Sequence, residues 1–226
     1  DQFNWYDIFL KIAQEKYPHL ESFEKIHLQL EQTDIPNLIF HLQKACMRDD
    51  ILDKIDEYYS TILYNITDLE WMIQRTFNFR IVTPDQEKSG RLLRFHKDEW
   101  TGNGPGIKNI WTPITDSFSS NSMYIIPQQE SKVIVDRIIK ERLDADTTQE
   151  ICLEQAKPLE INKGQAYLFN NESIHGNINN ETSQTRVSMD GRILLKGGIF
   201  NRKLPGGYFR FIGERDNKIE LNDDKI

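Results

Sequence analysis

His96, Asp98 and His175 are the residues of this chain whose types and order best suit metal chemistry. A His-x-Asp pair followed far downstream by a single His can supply three ligands to one face of an octahedral metal. Two imidazoles and one carboxylate leave three positions open, which suits non-haem Fe(II) that must also bind a co-substrate and O2. Arg186 follows His175 in the chain, with Ser188 two positions on. A guanidinium there is a fixed cation that can grip a carboxylate with two parallel hydrogen bonds, and the Ser hydroxyl adds a donor. The set points to redox chemistry at a metal, with a dicarboxylate held beside it.

Each part is weak alone. His19-Leu20-Glu21 is an equally short His-x-carboxylate pattern, and it falls in a helical stretch where it reads as a solvated face. His27 and His41 read as helix-surface or core residues, because a metal site needs convergent partners. Arginines on strands are mostly structural, and the bland reading of Arg186 is a salt bridge with Asp190. What raises His96 and Asp98 is context: a strand-like run before them and the His and Arg downstream.

The elements that must position these residues change character along the chain. Up to about residue 75 the pattern is helical. Phe3, Tyr6, Ile8, Phe9, Ile12 and Ala13 fit a 3.6-residue period, and Pro18 and Pro36 are expected near helix starts. From Thr76 the segments are short, β-branched and aromatic, separated by Gly, Asn and Pro. Strands are expected over 77–82, 91–96, 109–114, 122–126, 165–169, 186–195 and 208–211. Residues 131–146 interrupt the strands as either a helix or an extended flap, and whether they cover the site stays open. In an extended strand, alternate residues face one side, so Leu92, Arg94, His96 and Asp98 would share a face, as would Arg186, Ser188 and Asp190. This gives a helical segment over 1–75, a catalytic core over 76–212 and a polar tail over 213–226. The fold class expected is mainly β with flanking α, a sandwich or barrel preceded by helices.

The 226 residues suffice for one sizeable core. Lys plus Arg is 28 against 35 Asp plus Glu, a net charge of -7, which argues against nucleic acid or an anionic membrane as partner. No run of about 18 apolar residues exists, so no transmembrane helix is expected. The first residues lack the basic-then-apolar pattern of a signal peptide. Cys46 and Cys152 are too few for a disulfide framework, and free thiols in a reducing cytoplasm is the simpler reading. The loop Thr101–Gly106 (TGNGPG) has no Gly-Lys-Ser/Thr after it, so P-loop nucleotide binding is rejected.

Four stretches carry a resemblance: FHKDEW (95–100), NIWTPI (109–114), SNSMYIIP (120–127) and IHGN with TRVSMDGRIL (174–194). Over about residues 77–200 the chain resembles the 2-oxoglutarate/Fe(II)-dependent oxygenases, and within them the phytanoyl-CoA dioxygenase-like branch. The resemblance implies a double-stranded β-helix, the jelly-roll, cupin-like barrel. It implies iron on His96, Asp98 and His175, with 2-oxoglutarate as co-substrate on Arg186 and Ser188. Thr112 and Tyr124, on neighbouring expected strands, are candidates to hydrogen-bond it, and ordinary strand residues are the equal alternative. Arg94, which alternation places with His96, and Trp100 are candidate substrate contacts, an anion partner and a stacking surface; a structural pair and a rim residue are their alternatives. No catalytic residue beyond the metal ligands is expected. One departure stands out: where the family often has a Pro-Gly-Ser-His turn, this chain has Pro127-Gln128-Gln129-Glu130.

HKDEWTGNGP (96–105) and WTPITDSFSSNSMYIIP (111–127) further resemble oxygenases of bacterial surface-carbohydrate gene clusters. That implies a small-molecule substrate such as a sugar or sugar nucleotide. The reaction implied is oxidation, chiefly hydroxylation, of a C–H bond, with 2-oxoglutarate and O2 going to succinate and CO2. Two other classes stay open. A cupin-type metal enzyme without O2 chemistry, such as an isomerase, would need a further His or Glu ligand near His96. A non-catalytic barrel used as a binding module would have no need of an intact triad.

Overall fold

The computed structural model describes residues 3–64, 71–84, 94–195, 197–199 and 207–214. Four helices come first: α1 (Trp5–Lys16), α2 (Ile26–Gln29), α3 (Ile35–Ala45) and α4 (Asp49–Tyr64). The Asn4 side chain caps α1 by accepting from the Asp7 amide. Pro36 sits in the first turn of α3, where its missing N–H costs nothing. Pro18 instead follows the end of α1, the other position a proline tolerates well. Residues 71–74, expected within the helical segment, form a strand.

Among the described residues nine strands follow, every pair antiparallel: β1 (Trp71–Gln74), β2 (Asn78–Val82), β3 (Ile107–Pro113), β4 (Tyr124–Ile125), β5 (Lys157–Pro158), β6 (Tyr167–Asn170), β7 (His175–Gly176), β8 (Arg186–Leu195) and β9 (Phe209–Arg210). The larger sheet runs β6-β3-β8-β1-β9, with β2 also paired to β8; the smaller is β5-β4-β7. Among the described residues these are two open sheets, and the strands do not close into the expected jelly-roll barrel.

Alternation along β8 gives the larger sheet its two characters. Val187, Met189 and Ile193 point one way, with Phe79 and Ile81 of β2 and Ile110 of β3. They join Phe9, Leu38, Leu42, Ile55 and Tyr59 of the helices in one buried core. Each such side chain is worth about 1.5–3 kcal/mol on burial, so this layer fixes the sheet against the helices. Arg186, Ser188, Asp190 and Arg192 point the other way, toward the smaller sheet. Trp111, Met123, Ile125 and Phe169 pack between the two sheets.

The stretch whose structure the sequence left open is helical: α5 (Gln128–Glu141) and α6 (Ala145–Gln155), the latter capped by the Asp144 carboxylate on the Thr147 amide. These helices cover the outside of the smaller sheet through Ile134, Ile151 and Cys152, packed on Phe95, Ile126 and Ile174. Cys46 and Cys152 are both free and buried. Among the described residues no helix is long and apolar enough to cross a membrane.

Candidate metal centre

The two histidines meet because their backbones pair. His96 and His175 each donate their amide to the other's carbonyl, at 2.9 and 3.0 Å. Directly opposed residues of an antiparallel pair put their side chains on one side of the ladder. The approach needs Gly176. A Cβ there would lie 2.9 Å from both the backbone N and the Cα of Phe95. The segment before His96 is held from outside by α6, where Gln149 accepts from the Phe95 amide at 2.7 Å and donates to its carbonyl at 2.8 Å.

Asp98 does not continue a strand. It opens a 3-10 turn, Asp98–Thr101, after an extended Lys97. The alternation argument therefore survives as far as Asp98, although residues 94–98 form no strand beyond the His96 bridge. Thr101 and Asn103 side chains donate to the Asp98 carbonyl at 2.8 and 3.0 Å and fix its backbone. Expected strand residues 91–93, including Leu92, lie outside the described residues.

Ligand atoms of His96, Asp98 and His175 all lie within 4.8 Å of one another. Asp98 Oδ1 is 3.6 Å from His96 Nε2 and 3.9 Å from His175 Nε2. Each imidazole has its Nδ1 on a backbone carbonyl, His96 on Arg94 at 2.9 Å and His175 on Ser173 at 3.0 Å. A carbonyl can only accept, so Nδ1 carries the proton and Nε2 presents its lone pair toward Asp98. Burial, then the neighbouring His96, lowers the His175 pKa to about 4, against the pull of Asp98, so its ring is neutral at neutral pH. Burial would raise the Asp98 carboxyl, but His96, Arg192 and His175 together hold it below the usual carboxylate range. Two imidazole nitrogens and a carboxylate oxygen, convergent on one point, form a donor set that fits a divalent metal.

Arg192, which the sequence did not single out, holds the carboxylate. Its Nε and Nη2 reach Asp98 Oδ2 at 3.1 and 2.9 Å, leaving Oδ1 for the site. Its Nη1 reaches Asp190 at 3.1 Å, Gln74 at 3.2 Å and the Tyr208 hydroxyl at 3.3 Å. Asp190 is thus taken by Arg192 and Asn78, and not by Arg186.

Arg186 is fully buried and has only neutral acceptors: the Asn121 carbonyl at 2.9 Å, the Asn177 side chain at 3.0 Å and the Ser188 hydroxyl. Its guanidinium carbon lies 5.5 Å from the Trp111 ring centre. Burial, then the nearby Arg80, lowers its pKa to about 9, partly opposed by Asp190. A buried guanidinium without a carboxylate partner among the described residues, facing a cavity, is a vacancy of charge that an anion would fill. That cavity has a volume of about 690 Å³ and is lined by the triad, Arg186, Arg192, Arg80, Trp111 and Tyr208 among others. It is within the range of small-molecule pockets. Asn109 also faces it, with a buried Oδ1 that has no hydrogen-bond partner among the described residues.

The remaining expected residues are not brought to the metal end. Thr112 sits on the opposite face of β3 from Trp111 and bonds the Tyr58 hydroxyl of α4, inside the helical core. Tyr124 packs on the outer cluster under α5 and α6, while its neighbour Ile125 faces inward. Neither lines the cavity: both lie one position out of register with its inward face. Trp100 is 50% exposed and does not line the cavity, against its expected role as a stacking surface. Arg94 does line it, but its guanidinium pairs with Asp146 of α6 at 2.6 Å.

No family model matches the chain. It is similar to a protein of antibiotic biosynthesis. The streptomycin biosynthesis protein StrG of Streptomyces griseus is 26% identical over 149 residues, 64% of this chain and 59% of that protein. The chain therefore spans about three-fifths of the curated relative it matches. Among solved structures, the non-heme monooxygenase ThoJ in complex with Ni aligns with a TM-score of 0.44 at 15% identity, over 74% of this chain and 66% of its own. HygX from Streptomyces hygroscopicus, with iron bound, aligns at 0.43 and 13%, over 71% and 70%. SnoN, a non-heme alpha ketoglutarate dependent epimerase from nogalamycin biosynthesis, aligns at 0.46 and 11%, over 82% and 71%.

Proposed function

We propose that this chain is a 2-oxoglutarate-dependent non-haem iron dioxygenase that oxidises, chiefly by hydroxylation, a C–H bond of a small molecule. The observation that carries this reading is one cavity that holds both a convergent His-Asp-His donor set and a buried, carboxylate-free guanidinium. His96, Asp98 and His175 hold the metal. Arg186 takes the far carboxylate of 2-oxoglutarate, with Ser188 beside it. Bound iron, with 2-oxoglutarate and O2, supplies the oxidation, and succinate and CO2 are the co-products.

The protein's own tasks are orientation and exclusion of water. Arg192 fixes the Asp98 carboxylate, and the Arg94 and Ser173 carbonyls fix the two imidazoles in the ligating tautomer. Trp111, Met123 and Phe169 give the space between the sheets an apolar lining. Asn109 is placed to bond a polar group of a ligand there, since an unpaired buried carboxamide oxygen costs about 1–3 kcal/mol. The similarity to StrG supports a substrate from antibiotic biosynthesis.

The test is an anaerobic titration of the metal-free protein with Fe(II) and 2-oxoglutarate, followed by visible absorption. A charge-transfer band that needs both components, and is absent in His175→Ala, is the expected result. Tight iron binding with no band would point to a cupin-type enzyme of other chemistry. No iron binding would sink the enzyme reading and leave a binding module.

A further inference from the structure

We propose that the substrate carries an anionic group, a phosphate or a carboxylate, that docks on Arg80; this deepens the proposed function and rests on it. Arg80 lies on β2 opposite Ser188 of β8, and the same register puts Val82 opposite Arg186. Residues two apart on one strand share a face, so Arg80 shares the wall of Ser188 and sits diagonally beside Arg186. The Asn78 side chain, two residues before it, bonds Asp190 at 3.0 Å, which confirms that this face of β2 looks into the cavity.

The charges of that cavity do not balance. Four arginines line it, Arg80, Arg94, Arg186 and Arg192, against two aspartates, Asp98 and Asp190. Arg192 takes both aspartates. Arg94 is turned to Asp146. Arg186 is held by neutral groups, and Arg80 is exposed with no acidic partner among the described residues. Arg192 leaves its two aspartates one charge in excess, so Arg80 and Arg186 together give the cavity a surplus of one positive charge, and Arg80 lies close enough to depress Arg186. A divalent metal and the dianion 2-oxoglutarate cancel, so loading the site leaves the surplus where it was. This occurs on a chain whose net charge is -7, so the positive wall is local and not a property of the whole surface. A positive cleft in a negative molecule draws anions to that one place. The planar fork of an arginine suits phosphate and carboxylate alike. Arg186 lies at the buried end of the wall and Arg80 at its open edge, which assigns the co-substrate to the first and the substrate's anion to the second.

The experiment is calorimetric titration of the Ni(II)-loaded full chain, which cannot turn over. 2-Oxoglutarate is titrated first, then glucose 6-phosphate, glucuronate and, as a neutral control, glucose. One of the two charged probes should bind at least about tenfold more tightly than glucose, the size of one charge-assisted hydrogen bond, and which one it is tells phosphate from carboxylate. Arg80→Ala should erase that preference and keep 2-oxoglutarate affinity within about twofold, and Arg80→Lys should keep part of it. Arg80 is exposed, so neither change empties a core site. If Arg80→Ala weakens 2-oxoglutarate as much as the charged probe, Arg80 belongs to the dicarboxylate grip and the proposal is overturned. It is equally overturned if a protein that binds Ni(II) and 2-oxoglutarate prefers neither charged probe, and the functional reading then stands. Wild-type protein that fails to bind 2-oxoglutarate would sink the functional reading, and the proposal with it.

Discussion

Replacing Arg186 by Met exchanges a buried cation for an apolar side chain of similar reach. Burial and Arg80 bring the Arg186 pKa down to about 9. At about 1.4 kcal/mol per pH unit, the charge sits on the order of 5 kcal/mol less favourably in the ligand-free fold than in water. Met removes that penalty. It also strips donors from the Asn121 carbonyl, the Asn177 side chain and Ser188, at about 1 kcal/mol each. The first term exceeds the second by about 2 kcal/mol, so ligand-free Arg186→Met should melt no lower than the wild type and up to about 8 °C higher. A structural ion pair would behave differently, because breaking one costs about 3–5 kcal/mol.

The ligand response should separate the proteins. With Ni(II) bound and 2-oxoglutarate at about 100 times its Kd, linkage stabilises the wild type by about 2.7 kcal/mol. For a chain of this size that is about 5–10 °C in Tm. Loss of a buried charge partner costs about 2–5 kcal/mol of affinity, so the same concentration should shift Arg186→Met by about 3 °C or less. The pH profile adds a second check. Below about pH 9 both folded and unfolded wild type hold the Arg186 proton, and the burial penalty is present in full. Above pH 9 the folded state releases the proton while the unfolded state still holds it, so this group makes stability rise with pH. Urea melts at pH 7.5 and 10 should show that rise as a wild-type-minus-variant difference. A variant that loses 3–5 kcal/mol without ligand and keeps its 2-oxoglutarate shift would refute the clamp and make Arg186 a strut.

Three further changes test the frame. Gly176→Ala sets a methyl against the backbone of Phe95, which cannot swing aside, so it should push the His175 and His96 segments apart. Ni(II) affinity, by calorimetry, should fall at least about tenfold; unchanged affinity would mean the two segments have slack. Gln149→Ala removes both hydrogen bonds to Phe95 and should cost about 1–3 kcal/mol in urea melts. Metal affinity should fall with it, and a stability loss alone would confine Gln149 to holding α6 in place. Thr112→Val should cost about 1–2 kcal/mol by orphaning the buried Tyr58 hydroxyl, with 2-oxoglutarate affinity unchanged. A selective loss of that affinity would return Thr112 to the cavity.

Which parts were legible in the sequence follows from how each residue is positioned. β8 is the longest strand, buried on both faces, and its expected span of 186–195 matches the structure. Long apolar alternation is hard to read otherwise. β7 is two residues long and escapes any periodicity, yet it carries His175. It exists only because β4 on one side and His96 on the other pair with it, long-range events that local pattern cannot encode. The side that Thr112 and Tyr124 face was illegible for a related reason. With a period of two, a strand read without its partner's register leaves the inward face undecided, and Tyr58 and the α5–α6 layer decide it.

Arg192 is the instructive omission, because its signal was present. Arg186, Ser188, Asp190 and Arg192 are four polar residues in strict alternation with the buried Val187, Met189 and Ile193. A strand with one apolar face and a second face of two arginines and an aspartate cannot lay that second face on an apolar core. It must line a polar cavity, and each charge in it needs a named partner. Asp190 can serve one arginine well. Assigning it to Arg186 leaves Arg192 bare, and assigning it to Arg192 leaves Arg186 for a ligand. The structure takes the second course, because Asp98 arrives beside Arg192 and lets one guanidinium pair with both carboxylates. The freedom of Arg186 to bind an anion is thus a consequence of where the metal-site aspartate lies. Under the proposed function, co-substrate grip and metal ligation would both depend on one strand, and a change at Arg192 should disturb both.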